Sequence, residues 1–212
     1  MATLQSASEQ RFILYSVPWQ TYCRLLRAFA DRPAVRLTYD RGVLELMTVS
    51  HEHESYAHIL GRLVDVLTEV LGLPVKGGGS TTFRRRKRQR GLEPDACWWI
   101  ANEPLVRGKK EIDLRRDPPP DLALEIDVTH SSLSRLDIYA ALGVPEVWRL
   151  QAETLTGYIL RTDGRYQAAD TSRAFPGLQI TELLPFLALQ GQLEENALVR
   201  QFRSWAEERF SR

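Results

Sequence analysis

Five carboxylates in two short stretches set the chemistry to look for. "GLEPDACWWI" (91–100) carries Glu93 and Asp95 two positions apart and runs at once into an apolar segment; "DLALEIDVT" (121–129) carries Asp121, Glu125 and Asp127. Alternate side chains of a strand face the same way. Leu122, Leu124, Ile126 and Val128 therefore make one apolar face, and Asp121, Ala123, Glu125, Asp127 and Thr129 make the other. The same parity sets Glu93 and Asp95 with Cys97 and Trp99. Residues two apart on a face lie about 6 to 7 Å apart, and like charges that close raise each other's pKa unless a cation or basic group sits among them. Any one of these acids, taken alone, reads as facing water. For the set, the hydrophobic runs around both stretches favour a divalent metal site.

Geometry narrows the choice of ligands. Asp121 and Glu125 are four apart, about 13 Å along a strand, whereas one hard cation holds its oxygens at about 2.0 to 2.6 Å. Asp95 and Glu125 sit on different strands and become neighbours if those strands pair, with about 4.8 Å between chains. Asp95 with Glu125 is the expected ligand pair.

The elements that must position this pair follow from periodicity. "FILYSV" has the form of a short strand, and Pro18 opens a helix over "WQTYCRLLRAFA". "AVRLTYDRGVLELMT" alternates on both sides of Asp40, Arg41 and Gly42 and predicts a β-hairpin. A long helix is expected over 51–72, with Tyr56, Ile59, Leu60, Leu63, Val64, Leu67, Val70 and Leu71 as its apolar stripe. Strands follow at Ser80–Phe83, "PDACWWIA", "DLALEIDVT" and "VPEVWRL", with the helix "SLSRLDIYAAL" before Gly143. A second hairpin turns at Asp163 and Gly164, and two helices near 181–189 and 193–210 close the chain. The fold class is α/β (α+β): one domain, 1–212, with a mixed central sheet flanked by helices, an N-terminal hairpin and a C-terminal hairpin and helical extension from 154.

Composition bounds the function. A net charge of +1 gives no global attraction for nucleic acid, so any basic patch must be local. Cys23 and Cys97 make neither a disulfide framework nor a zinc spacing, which fits a reducing cytoplasm. The N-terminus has no signal-peptide pattern, and no stretch of about 18 apolar residues marks a membrane span.

"EPDACWWI", the thirty residues from Asp95 to Glu125 in "PDLALEID", "YAALGVPEVWRL", "GSTTFRRR" and "HEHESYAHILGRL" together resemble the putative restriction endonuclease family common in cyanobacteria, part of the PD-(D/E)xK nuclease superfamily. The resemblance runs over roughly 35–160. It implies a restriction-endonuclease-like core and cleavage of DNA phosphodiester bonds with Mg²⁺ (or Mn²⁺). Carried over, Asp95 and Glu125 are the metal-binding acids, the backbone carbonyl of Ile126 a further ligand, and Glu54 the helix-borne acid. Helical period objects to the last: at about 100° per residue, Glu54 falls opposite the apolar stripe and Glu52 nearer its edge. The superfamily lysine two places after the Glu is Asp127 here, and the matching position on the following helix is Arg135. Arginine stays protonated and is no general base, but it can orient water or stabilise charge on phosphate. Asp127 or Glu54 is left to recruit a second ion or accept a proton. The alternative is a catalytically weakened relative that binds nucleic acid or protein.

Further features are weaker. "RRRKRQR" (84–90) holds six basic side chains in seven, so Arg84, Arg85, Arg86, Lys87 and Arg88 are expected to grip DNA phosphates, unless the run is a solvated hairpin end. His51, His53, His58 and His130 do not form HExxH; His130 is placed to cap the acidic strand or touch substrate. "GGG" (77–79) lacks a phosphate-loop Lys. Leu198, Phe202, Trp205 and Phe210 form a stripe that suits a homodimer or higher homo-oligomer, or packing on the chain's own domain.

Overall fold

The computed structural model describes residues 10–32, 34–127 and 133–210. Thr129 and His130, read as part of the acidic strand and its end, lie outside them.

The chain opens with β1 (Gln10–Leu14), α1 (Trp19–Ala28) and the hairpin β2 (Val35–Asp40) and β3 (Val43–Thr48). The hairpin turns on Arg41 and Gly42, both at positive φ (47° and 94°), the backbone that a tight antiparallel turn demands. β1 pairs with the free edge of β3, Arg11 opposite Met47. Leu37, Tyr39 and Leu44 bury one face of the hairpin against Trp19 and Tyr22 of α1, with the Tyr22 and Tyr39 rings stacked at 4.8 Å. The other face carries Arg36, Thr38, Glu45 and Met47, and these are buried too. Burial of polar groups is costly unless they find partners, so this face needs a polar structure opposite it.

α2 (His51–Val70) follows, capped by the Ser50 hydroxyl, which accepts the His53 amide at 3.2 Å. Next come β4 (Lys76–Gly77), β5 (Phe83–Arg85), a 3₁₀ turn over Arg86–Arg88, β6 (Arg90–Leu92), β7 (Ala96–Trp99), α3 (Glu103–Val106) and β8 (Leu122–Asp127). Then α4 (Arg135–Leu142), β9 (Glu146–Gln151), β10 (Thr154–Leu160) and β11 (Tyr166–Ala169) lead to a 3₁₀ turn over Ile180–Leu183, α5 (Leu184–Leu187) and α6 (Glu195–Phe210).

The strands divide between two sheets, where the sequence pattern suggested one central sheet. The first is β1-β3-β2-β6-β5; the second is β11-β10-β9-β8-β7-β4. The second is the mixed one: β8 and β9 are parallel across the α4 crossover, and its other pairs are antiparallel. Leu122, Leu124 and Ile126 pack with Trp98 under α2 and α6, while Ala123 packs with Cys97, Trp99, Val147 and the α4 residues Ile138, Tyr139 and Leu142. Both faces of β8 are therefore covered, and each of its six residues is buried. Its acids do not face water.

Other boundaries moved slightly. The strand expected at 80–83 begins at Phe83, and the helix expected over 181–189 is a 3₁₀ turn joined to a short α5. Leu198 and Phe202 are buried in the domain's own core, and Phe202 meets Phe186 at 4.9 Å. The C-terminal stripe is thus used inside the fold. No helix among the described residues is long and apolar enough to cross a membrane.

Candidate active site

The antiparallel register sets Ala96 opposite Leu124, so Asp95, one residue before β7, comes level with Glu125. The Asp95 amide donates to the Leu124 carbonyl at 3.1 Å, and Asp95 Oδ2 accepts the Ile126 amide at 2.7 Å. Backbone and side chain together fasten this acid to β8. His53 Nε2, fully buried on the first turn of α2, lies 3.3 Å from Oδ2. Asp95 Oδ1 is buried and has no hydrogen-bond partner among the described residues. Burial pushes the Asp95 carboxyl up, but the bond and charge of His53, with Arg135 and the Ile126 amide, outweigh it and leave its pKa lowered.

Glu125 is held from α4. Arg135 Nε lies 2.5 Å from Oε2, Arg135 Nη2 donates to Oε1 at 2.9 Å, and the Tyr139 hydroxyl also donates to Oε1. Ser134 caps this helix, accepting the Asp137 amide at 3.4 Å. Arg135 and Tyr139 are four apart, so a helix presents both on one side. Burial raises the Glu125 carboxyl to about 7, with Arg135 pulling it down and the Asp95 charge pushing it up. Burial alone depresses Arg135, yet the charges of Glu125, Tyr139 and Asp95 raise its pKa, so it stays a cation. The same guanidinium donates to Thr38 Oγ1 at 2.8 Å and to the Glu93 carbonyl at 2.7 Å. That is the polar structure the buried face of the first sheet requires.

A third acid completes the wall. Asp127 Oδ2 pairs with Arg149 Nη2, and Asp127 Oδ1 lies 3.4 Å from Arg11 Nη2. Arg11 also reaches Glu45 at 3.5 Å. Asp95, Glu125, Ile126 and Asp127, with Arg11, Arg135 and Arg149, line one cavity of about 300 Å³.

The structure brings together Asp95, Glu125, Ile126 and Arg135, all proposed from sequence, and adds His53, Tyr139, Arg11 and Arg149. It does not bring Glu54. That side chain is 50% exposed, pairs with Arg36 at 3.2 Å and is not among the cavity residues. The α2 residue beside Asp95 is His53. Its signal was present: it lies seven before Leu60 and four before Ala57, on the extended apolar stripe. Asp121 sits at the far end of β8, accepting the Ile100 and Asn102 amides at 2.7 and 2.9 Å.

The basic run stands apart from the cavity. Arg84, Arg86, Lys87 and Arg88 are exposed, the last three on the 3₁₀ turn, while Arg85 donates to the Leu114 carbonyl at 3.2 Å.

Among the described residues no three His, Cys, Asp or Glu side chains cluster as metal ligands. Two carboxylates plus backbone, phosphate and water oxygens nevertheless suit Mg²⁺, which keeps several waters and needs no all-protein cage. The buried, unpartnered Asp95 Oδ1 is an oxygen that such an ion would satisfy.

Two layers of sheet closing over an acidic strand end, with guanidiniums around it, define a polar-chemistry site of an α+β domain. The family described as putative restriction endonuclease (Uma2) matches residues 19–194, and the chain belongs to it. Among solved structures it is similar to a putative nuclease from Anabaena variabilis, at 14% identity over 84% of this chain and 98% of that one, with a TM-score of 0.48. No curated protein matches it.

Proposed function

We propose that this protein is a metal-dependent endonuclease that hydrolyses DNA phosphodiester bonds. The observation that carries this reading is the convergence of Asp95 and Glu125 on one cavity, with Asp95 Oδ1 buried and, among the described residues, unpartnered. Asp95, Glu125 and the carbonyl of Ile126 would hold Mg²⁺ or Mn²⁺. A cation there supplies an acidified water and neutralises charge on the phosphate. His53 holds Asp95 in place, and Tyr139 and Arg135 fix Glu125 from α4. Arg135 contributes positive charge at the reacting phosphate and no proton acceptor. Arg84 to Arg88 grip the DNA backbone outside the cavity.

The test is nicking of supercoiled plasmid in Mg²⁺ or Mn²⁺. The wild type is expected to cut, and Asp95→Ala and Glu125→Ala, checked for folding by circular dichroism, are expected not to. A wild type inert with both metals overturns the reading. One observation favours a second reading, a binding module with weakened catalysis: both Glu125 oxygens are already engaged by Arg135. On that reading calorimetry records no Mn²⁺ uptake while DNA binding persists.

A further inference from the structure

Asp127 and its two arginines have no part in the metal site described above. Among the described residues, the charged side chains lining the cavity are three carboxylates, Asp95, Glu125 and Asp127, and three guanidiniums, Arg11, Arg135 and Arg149. Arg135 is spoken for: its contacts run to Glu125, Thr38 and the Glu93 carbonyl. Arg149 is placed differently. It stands beside Glu125 in the parallel register of β8 and β9, its side chain is 31% exposed, and Nη2 meets Asp127. A guanidinium carries five N–H donors in a fork that matches phosphate oxygens, so one contact to Asp127 leaves most of that fork for a ligand. Arg11 comes from the other sheet and meets the second oxygen of the same carboxylate. A single acid thus holds two guanidiniums from opposite layers on one wall, and the exposed fork is that of Arg149, since Arg11 also reaches Glu45.

We propose that Arg149 and Arg11, positioned by Asp127, form a subsite for a nucleic-acid backbone phosphate next to the one that is cut. The proposal rests on the nuclease reading for its location and on anion binding for its test. Among the described residues the lining acids and guanidiniums are equal in number, so a divalent cation at Asp95 and Glu125 would make the cavity a net anion receptor. Phosphate and cation then bind together better than either alone.

Anisotropy of a short labelled DNA duplex, with Ca²⁺ in place of Mg²⁺ and over a salt series, reads the subsite without relying on cleavage. Arg149→Ala and Arg11→Ala are each expected to weaken binding about tenfold and to lower the slope of log affinity against log salt by up to about 0.9, the share of the one phosphate that the two hold between them. Asp127→Asn keeps both positive charges and is expected to keep the slope while losing affinity, because the forks are no longer held. Arg149→Gln serves if Arg149→Ala does not fold. A wild-type slope in the Arg149 and Arg11 variants overturns the subsite, since a purely structural ion pair moves the melting temperature and not the slope. Plasmid nicking separates the two readings. A wild type that cuts, with unchanged slopes in the variants, sinks the subsite alone; lowered slopes in a protein that never cuts support the subsite and sink the nuclease. A wild type that does not bind the duplex sinks both.

Discussion

Glu125 is a buried acid whose carboxyl burial lifts to about 7, against the pull of Arg135. A divalent cation binds the ionised form, so metal uptake must expel the proton that Glu125 holds below that pH. Mn²⁺ affinity is expected to rise by up to about tenfold per pH unit below 7 and to level off above it. Calorimetry in buffers of different ionisation enthalpy measures the proton released; no release at pH 6 shows that Glu125 is already ionised. Arg135 makes the complementary case. Its removal in Arg135→Met lifts the Glu125 pKa further and leaves that acid buried without its main partner; urea melts should show a loss of stability that grows as pH rises, and Glu125→Gln in the same chain should recover much of it. The sequence made the Asp95–Glu125 pair legible because strand parity and interstrand spacing leave few acids able to meet. It misled at α2, where a carried-over family position pointed to Glu54 although helical period put His53 on the inward side. Tyr139 escaped notice because an apolar-looking helix position gives no hint of a hydroxyl aimed at an acid.

The elements deliver those residues through their ends. α2 starts at a hydroxyl cap whose partner is the amide of His53 itself. Ser50→Ala is expected to cost about 1 kcal/mol, measured by chemical denaturation, and to weaken Mn²⁺ binding because the first turn no longer fixes the imidazole beside Asp95. Unchanged binding would show that packing alone holds His53. The hairpins, the long helix and the β8 strand were plain from alternation and period, since each pattern is local. The division into two sheets was not. β2 meets β6 through only Tyr39–Gly91 and Asp40–Arg90, and no run of alternating residues reveals which distant strand it will join. Gly91 hints at the join in retrospect: a Cβ there would stand 2.5 Å from the Tyr22 hydroxyl and 3.0 Å from the Phe83 carbonyl. The burial of the polar inner face of β2 and β3 was hidden for the same reason, because alternation alone does not show that a second layer covers it.

The molecule as a whole carries a net charge of +1, too little to draw DNA from every side, so on the proposed reading long-range attraction would come from where the charge is concentrated. The exposed turn Arg86–Arg88 is that place, off the cavity and held at its base by the pairing of β5 with β6. Its side chains are solvated, and replacing solvated surface charges typically changes stability by less than about 0.5 kcal/mol. Arg86→Ala, Lys87→Ala and Arg88→Ala combined are therefore expected to leave the melting temperature and Mn²⁺ uptake as they are. The same triple variant should lower the salt slope of DNA binding by about 2 to 3, if each side chain neutralises one phosphate. The turn and the cavity then separate cleanly by measurement: charge lost from the turn reduces DNA affinity with metal binding intact, while Asp95→Ala removes metal binding and leaves the turn's share of the salt slope. A triple variant with the wild-type slope would assign the turn to the solvated end of a hairpin and leave the guanidiniums of the cavity as the main contact with DNA.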